Sequence, residues 1–526
     1  MSACSRSTGE GPTCDVLVVG GGINGAGIAR DLAGRGLSVV LSEKDDLAAH
    51  TSSSSTKLIH GGLRYLEHYE FSLVRKSLAE REVLLASAPH IIRPLRFVMP
   101  HDPSMRPVWL VRAGLFLYDH LARRQVLPGS HGVDLRTHEA GKPLRPVFSK
   151  GFVYSDGWVD DARLVVLNAV DAREHGAEVL TRSRCVDATR DGATWRVRLQ
   201  SATGNTDSLT ARALVNAAGP WAAQFLSEHA HMPHVRALRL VKGSHIVVPK
   251  LFEHDYAYIF QNPDKRIIFA IPYERNFTLI GTTEVEHVGA LAQARIDPAE
   301  VAYLCAQVSR YFAQPVVPSD VVWSYAGVRP LLDDESSDPS ALTRDYSLDL
   351  DDADPPLLTV WGGKLTTFRK LAEEAADLLV ARLGARAKRG RWTQGAHLPG
   401  GDLSAWIGES ERPDTDFLRF ARALASRHPE LPEALCWRWA RAYGTRVVLL
   451  IGEGHGSNLG AEVVSGLFEA ELHYLHDFEW ARSAQDVLWR RSKLGLHLTA
   501  PEREAVARWC ATHWHDAAAA ECRETA

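Results

Sequence analysis

The chain has 526 residues, enough for two to four domains with large cores, and its 45% hydrophobic and 24% charged residues match an ordinary globular protein. Lys and Arg number 60 against 64 Asp and Glu, a net charge of −4, so no global basic field points to nucleic acid. In chain order, the first informative stretch is residues 15–44, DVLVVGGGINGAGIARDLAGRGLSVVLSEK. It reads as an apolar strand, a glycine turn, a helix and a second strand ending in an acid. Gly20, Gly22 and Gly25 supply the G-x-G-x-x-G spacing: Gly20 for a tight turn, Gly22 for close approach of backbone to a pyrophosphate, Gly25 for close packing of helix on strand. Ile23 and Asn24 open the helix, whose N-terminus offers unpaired N–H groups to an anion. Glu43 can accept hydrogen bonds from ribose hydroxyls. This is a dinucleotide-binding unit.

TSSSSTKLIHGGLRYLEH, residues 51–68, follows as a serine- and glycine-rich loop. A flexible linker is the alternative, but Lys57, Leu58, Ile59 and His60 before a Gly61-Gly62 turn predict packing against something bound. Residues 70–88 have helical apolar spacing. Residues 177–200 alternate like strands, with Asp191-Gly192 as a hairpin turn, and ALVNAAGPWA (213–222) reads as a strand and a small-residue turn. Several strand-like segments fill 241–283, and 318–332 and 357–361 look like further strands. GGKLTTFRKLAEEAADLLVARL (362–383) is a glycine turn opening a long helix with Thr366 and Thr367 in its first turn. A Gly-, Arg- and Lys-rich stretch, 384–401, precedes an almost wholly helical pattern in which Thr499-Ala-Pro501-Glu502 caps the last helix.

The seven cysteines (Cys4, Cys14, Cys185, Cys305, Cys436, Cys510, Cys522) form no C-x-x-C pair, which predicts thiols in a reducing compartment and no metal site. Residues 1–13 lack the apolar core of a secretory signal, and no run of 18 apolar residues exists, so neither export nor a membrane-spanning helix is expected. Attachment to a membrane surface stays open.

FAD is favoured over NAD by three segments: the serine loop after Glu43, the turn at Ala217–Pro220, and the second glycine-to-helix element at Gly362-Gly363. A positive helix end beside a flavin ring stabilises negative charge on the reduced form. The candidate cofactor residues are therefore Gly20, Gly22, Ile23, Asn24, Gly25, Glu43, Ser52, Ser53, His60, Gly62, Ala218, Gly219, Gly363, Lys364, Leu365 and Thr366.

GGGINGAGIARDLAGRGLSV, TKLIHGGLRYLEHYEFSLV, YSDGWVDDARLV, KGSHIVVP, GVRPLLDDE and GGKLTTFRKLAEEA occur in this order. Together they resemble the FAD-dependent, quinone-linked (aerobic) glycerol-3-phosphate dehydrogenase family, over about residues 14–515. The resemblance implies an α/β (α+β overall) fold: a Rossmann-type FAD-binding domain interleaved with a mixed-sheet substrate domain of the D-amino-acid-oxidase-like type, plus an all-α C-terminal domain. On this reading 14–390 is the oxidoreductase region, with FAD-binding segments near 14–68, 150–222 and 355–385 and substrate segments near 69–149 and 223–354, and 391–526 is helical.

The implied reaction oxidises sn-glycerol 3-phosphate to dihydroxyacetone phosphate, hydride passing from C2 to the flavin and electrons on to ubiquinone. A phosphate in a partly dry pocket calls for arginine. By resemblance Arg329 and Arg344 bind it, with salt bridges to Asp333, Asp334 or Asp345 as the alternative. Arg64 and Tyr65, after the Gly61-Gly62 turn, hold and polarise the substrate by resemblance, although Tyr65 also reads as core packing. His245, in KGSHIVVP, lies in the site by resemblance; an imidazole of near-neutral pKa suits removal of the hydroxyl proton, and a structural histidine is the alternative. Lys364 could support reduced flavin or the substrate oxygen, or be a solvated lysine. Arg64, His245 and Lys364 are thus the catalytic candidates. Competing functions are a glycerol-3-phosphate oxidase using oxygen, an amine or 2-hydroxyacid oxidase, and a non-enzymatic flavin protein.

Ubiquinone lives in lipid, and residues 103–125, PSMRPVWLVRAGLFLYDHLARRQ, combine apolar bulk with Arg106, Arg112, Arg123 and Arg124. This suits an interfacial helix on anionic lipid, against a buried helix with a basic end; the resemblance implies a cytoplasmic enzyme at the cytoplasmic face of the inner membrane. A homodimer is also expected. Trp437, Trp439, Trp480 and Trp489 read as either core aromatics or a dimer surface.

Overall fold

The computed structural model describes residues 13–102, 106–233, 236–264, 266–332, 345–384, 387–452 and 458–514. Two large sheets organise it. The parallel heart of the first runs Glu178–Leu180, Val39–Ser42, Cys14–Val19, Thr206–Asn216 and Leu357–Gly362, side by side in that order. Tyr346–Asp351 lies antiparallel on Leu357–Gly362. The hairpin of Ser183–Asp191 and Thr194–Ser201 turns at Gly192 (φ +59°) and pairs onto Thr206–Ala211. Helices Ile23–Gly34, Asp161–Glu174 and Phe368–Leu383 bring Ile28, Leu32, Val166, Val170, Leu371 and Leu379 into one core with Val16 and Val18 of the central strand. Leu17 and Val19, on the strand's other face, pack with Trp195, Val197 and Leu199 of the hairpin, so both faces are covered and residues 16–19 are apolar throughout.

The second sheet has ten strands, antiparallel except where Ala257–Gln261 lies beside Ile92–Pro100. Leu238–Pro249 is its spine, pairing with Phe277–Gly281 and with Trp323–Leu332. Helix Phe71–Ser87 forms where helical spacing predicts it.

Three expectations need correction. The segment 150–222 does not all lie with the first sheet: Lys150–Val159 is a strand of the second, paired to Ile92–Pro100, while Tyr346–Asp351, read as substrate side, belongs to the first. Lys150–Val159 is buried along nearly its whole length, so it has no alternation to reveal its sheet. Thr366 and Thr367 are not in the first α-helical turn: Leu365–Thr367 is a tighter 3-10 turn that leads directly into the α-helix, which starts at Phe368. The C-terminal part is not wholly helical, since Glu462–Val464 and Leu467–Phe468 pair around Gly466 (φ +75°).

Helices Pro413–Arg427, Glu433–Tyr443, Glu469–Glu479 and Ala500–His513 share a core of Phe420, Leu424, Trp439, Leu472, Leu475 and Val506. The last is capped as predicted, Thr499 donating through both N–H and hydroxyl to Glu502. Trp392, in the stretch that precedes this helical part, donates to Asp31 O at 3.2 Å and so lies against the first helix.

Candidate active site

Gly20 sits at φ +112°, and a Cβ there would meet Ala217 O at 2.4 Å; one on Gly25 would meet Gly20 O at 1.8 Å. Only glycine lets these chains touch. Gly22 precedes the first residue of helix Ile23–Gly34, which has no acidic side chain in its first turn. Ser52 Oγ accepts from Ile23 N at 3.0 Å. Glu43 accepts from Gly21 N at 2.6 Å and Asp45 N at 2.8 Å, so this acid is fixed from both sides.

A cleft of ≈ 1070 Å³, open to solvent, runs over this turn. Gly20, Gly22, Ile23, Asn24, Glu43, Ser52, Ala218, Gly219 and Gly363 line it. Gly25 does not; it closes helix on strand. Ser53, which donates to His50 O at 3.3 Å, and His60, Gly62, Lys364, Leu365 and Thr366 also lie outside that lining. The second glycine turn is brought to the first by Asn24, whose Nδ2 donates to Gly362 O at 3.1 Å. Asn24 Oδ1 is buried with no hydrogen-bond partner among the described residues. His60 and Thr366 are joined backbone to hydroxyl in both directions, at 3.2 and 3.3 Å. Gly62 takes φ +79°, and a Cβ there would strike the Tyr65 ring at 2.1 Å. The pattern missed His50 and Trp221 of this cleft; their rings lie 4.6 Å apart, and Lys44 sits 4.2 Å over Trp221.

The serine loop is no linker. Lys57, 1% exposed, reaches buried Asp161 at 2.7 Å, and Ser55 donates to the same carboxylate. Thr51 donates to Val328 O and Tyr325 to Ser55 O, both at 2.7 Å, seating the loop on strand Trp323–Leu332.

Beyond the loop three predicted residues converge. In the register of the second sheet Arg329 faces Val241, and His245 lies between Gly281 and Tyr325. Arg329 donates to Thr282 Oγ1 at 3.0 Å and approaches Glu284 at 3.4 Å; Arg64 approaches the same carboxylate at 3.8 Å. Neither Thr282 nor Glu284 was a sequence candidate, and no motif signals them. Among the described residues Arg329 thus has Glu284 as an ion-pair partner, one the sequence did not offer. Arg344, Asp333 and Asp334 lie outside the described residues. Gly243 leaves room for the guanidinium, since a Cβ there would lie 2.3 Å from Arg329 Nη2. Lys364 lies 4.7 Å over the Tyr65 ring.

His245 is 1% exposed, stacked 4.8 Å from Tyr325, with Nε2 2.9 Å from Thr56 Oγ1 and Nδ1 without a hydrogen-bond partner among the described residues. Burial, then the charges of Arg329 and Lys57, hold its pKa well below 6.5. It is a neutral imidazole at neutral pH rather than one poised near neutrality.

A parallel sheet with a glycine turn under an open cleft, and a second sheet presenting basic side chains, is the arrangement of a nucleotide-cofactor oxidoreductase. The model of the FAD-dependent oxidoreductase family matches residues 15–369. A glycerol-3-phosphate dehydrogenase of Pseudomonas aeruginosa is 54% identical over 491 residues, 92% of each chain. The aerobic glycerol-3-phosphate dehydrogenase of Escherichia coli is 50% identical, covering 94% of this chain and 97% of its own. A D-erythritol 1-phosphate dehydrogenase of Brucella abortus is also 50% identical, covering 95% and 98%. Among solved structures, the glycerol-3-phosphate dehydrogenase of Bacillus halodurans complexed with FAD superposes with a TM-score of 0.75 at 27% identity, covering 97% of this chain and 94% of that one. The chain belongs to the FAD-dependent oxidoreductase family, in the branch of the glycerol-3-phosphate dehydrogenases, and its cofactor is FAD.

Proposed function

We propose that this enzyme oxidises sn-glycerol 3-phosphate to dihydroxyacetone phosphate and delivers the electrons to ubiquinone at a membrane surface. The observation that carries the substrate is the convergence of Arg64 and Arg329 on Glu284, just past strand Phe277–Gly281, with Pro330 next to Arg329 lining the cleft. FAD, when bound, supplies the hydride acceptor. Arg329 holds the phosphate by charge-assisted bonds, with Arg344 as its proposed partner, and Arg64 and Tyr65 orient the C2 hydroxyl. His245 accepts the hydroxyl proton. A phosphate dianion on Arg329 cancels that arginine's share of the depression and so raises the imidazole's proton affinity when substrate is present. Lys364, beside Tyr65, supports negative charge near the flavin.

A second reading has a specific basis: the D-erythritol 1-phosphate dehydrogenase relative is as similar as the E. coli one, so a four-carbon polyol phosphate competes with the three-carbon one. Steady-state turnover with both phosphates, with a soluble quinone or oxygen as acceptor, separates the possibilities. The proposal expects higher kcat/KM for sn-glycerol 3-phosphate, with quinone reduction and little oxygen uptake. Preference for the longer phosphate, or peroxide formed at the rate of turnover, would overturn it.

Support for the membrane comes from helix Val108–His120. Trp109 is 70% and Phe116 59% exposed, and Val108, Leu110 and Leu117 are exposed with them. Leu115 and Tyr118 anchor its other face in the core. Its basic flank is partly engaged, Arg106 with Glu67 and Arg124 with Asp119. No described helix is long and apolar enough to cross a membrane. We infer peripheral attachment at the cytoplasmic face of the inner membrane. A homodimer is proposed on the family likeness, and light scattering tests it; Trp439 and Trp480 are buried and Trp489 stacks on Trp323, which favours packing roles for these rings.

A further inference from the structure

Residues 43–50 leave the second nucleotide strand and turn back along the cleft, contributing Glu43, Lys44, Ala48, Ala49 and His50 to its lining. Asp46, in the middle of this turn, does not line the cleft. Its carboxylate is 2% exposed and points the other way, into side chains more than four hundred residues further along the chain. Arg490 Nε donates to Asp46 Oδ2 at 2.6 Å. Arg491 makes a two-pronged contact, Nη1 to Oδ2 at 2.6 Å and Nη2 to Oδ1 at 2.8 Å. Arg491 is wholly buried and is itself oriented by the Glu479 carbonyl, to which it donates twice. A second buried carboxylate, Asp486, accepts from Arg490, from Arg182 at 2.7 Å and from the backbone N–H groups of Arg482 and Ser483. Arg182 also belongs to the cofactor side: its own N–H donates to Asp45 O at 2.8 Å, and its neighbour Ser183 donates to Glu43 O at 2.7 Å.

Nothing in the oxidation needs these groups, yet they tie the C-terminal part to the turn that carries Glu43. A bidentate arginine–carboxylate pair inside a protein fixes geometry as well as adding energy, and removal of one partner strands the other charge away from water. We propose that Asp46, Arg490 and Arg491 form a latch through which the C-terminal helical part holds the 43–50 turn in its FAD-binding shape. All three are positioning residues: they act through Glu43 and its neighbours, and none touches the cofactor cleft. The assignment rests on FAD being the cofactor and is independent of which alcohol is oxidised.

The test is the rate at which FAD leaves the holoenzyme, followed as the rise in free-flavin fluorescence after dilution. Arg491→Met is expected to release FAD about tenfold faster, the scale of a residue that acts through its neighbours. Substrate-driven bleaching per bound flavin should stay at the parent rate, because the flavin-ring end is untouched. Arg491→Lys keeps the charge but not the fork, so it should fall between. A folded Arg491→Met enzyme that releases FAD within about twofold of the parent rate would overturn the latch, as would a slowed bleaching step without faster release. Hydrogen exchange on the unmutated full chain, with and without FAD, supplies a test that no folding defect can blunt. Linkage is reciprocal, so FAD should slow exchange in 482–493 as well as in 43–50. Protection confined to the cleft-lining segments would contradict the proposal.

Discussion

His90 is wholly buried, and neither ring nitrogen has a hydrogen-bond partner among the described residues. Burial, then Arg163, Arg441 and His397, pushes its pKa down to about 3 from 6.5. The unfolded chain takes up a proton as pH falls through about 6.5, whereas the folded chain does so only near 3, so stability from this site is intact above 6.5 and lost between 6.5 and 3. At pH 5 the loss amounts to about 2 kcal/mol. His90→Leu, which also removes an unsatisfied polar ring, should lose about 2 kcal/mol less stability than the parent between pH 7 and pH 5. Parallel denaturation curves for the two proteins at both pH values would refute this. At the site itself, Arg329→Met should raise KM for the phosphate substrate about a hundredfold, the worth of charge-assisted bonds in a half-buried position, with FAD retained. His245→Asn should instead slow flavin reduction; an unaltered reduction rate would remove the base role. Arg329 and His245 were legible as residue types in short motifs. Glu284, Thr282 and Asp46 were not, because each matters through a partner brought in by the fold, and a lone acid or threonine has no periodicity to mark it.

Among elements, the strand–turn–helix at Cys14–Gly34 was readable because two of its glycines are forced: Gly20 and Gly25 face backbone oxygens where any Cβ would clash. In the second sheet the segments within 241–283 and 318–332 were readable as strands, whereas Ile92–Pro100 and Lys150–Val159 were not, since buried runs without alternation do not declare their type or their sheet. Helix Val108–His120 was ambiguous for a related reason. Apolar bulk beside arginines fits a core helix or an interfacial one; the exposure of Trp109 and Phe116 opposite buried Leu115 and Tyr118 excludes a wholly buried helix and supports the proposed interfacial role. Replacing Trp109 and Phe116 by serine should weaken binding to anionic vesicles by about 2 kcal/mol or more without changing turnover with a soluble acceptor. Unchanged vesicle binding would place the membrane contact elsewhere.

On the scale of the whole molecule, composition marks a shift near 390–400, and the structure joins the two parts through buried charges rather than leaving them side by side. Arg163 of helix Asp161–Glu174 donates to Glu479 and to Ala442 O, Lys493 lies 3.5 Å from Asp160, and Trp489 stacks on Trp323 at 4.7 Å. Truncation at residue 390 would remove the carboxylate and carbonyl that hold Arg163 and the close partners of Asp46 and Arg182, leaving the last two only their 4.0 Å approach to each other, so the shortened chain should fail to yield a folded, yellow protein. A stable flavin-loaded 1–390 fragment would show the C-terminal part to be dispensable. The most direct test of the account remains the redox chemistry of the intact holoenzyme. Anaerobic mixing with sn-glycerol 3-phosphate, watched at the flavin band near about 450 nm, should bleach the protein rapidly, with recovery on adding a soluble quinone, while glycerol should leave the colour unchanged. Equal bleaching by glycerol, or none by the phosphate in fully flavin-loaded enzyme, would contradict the account.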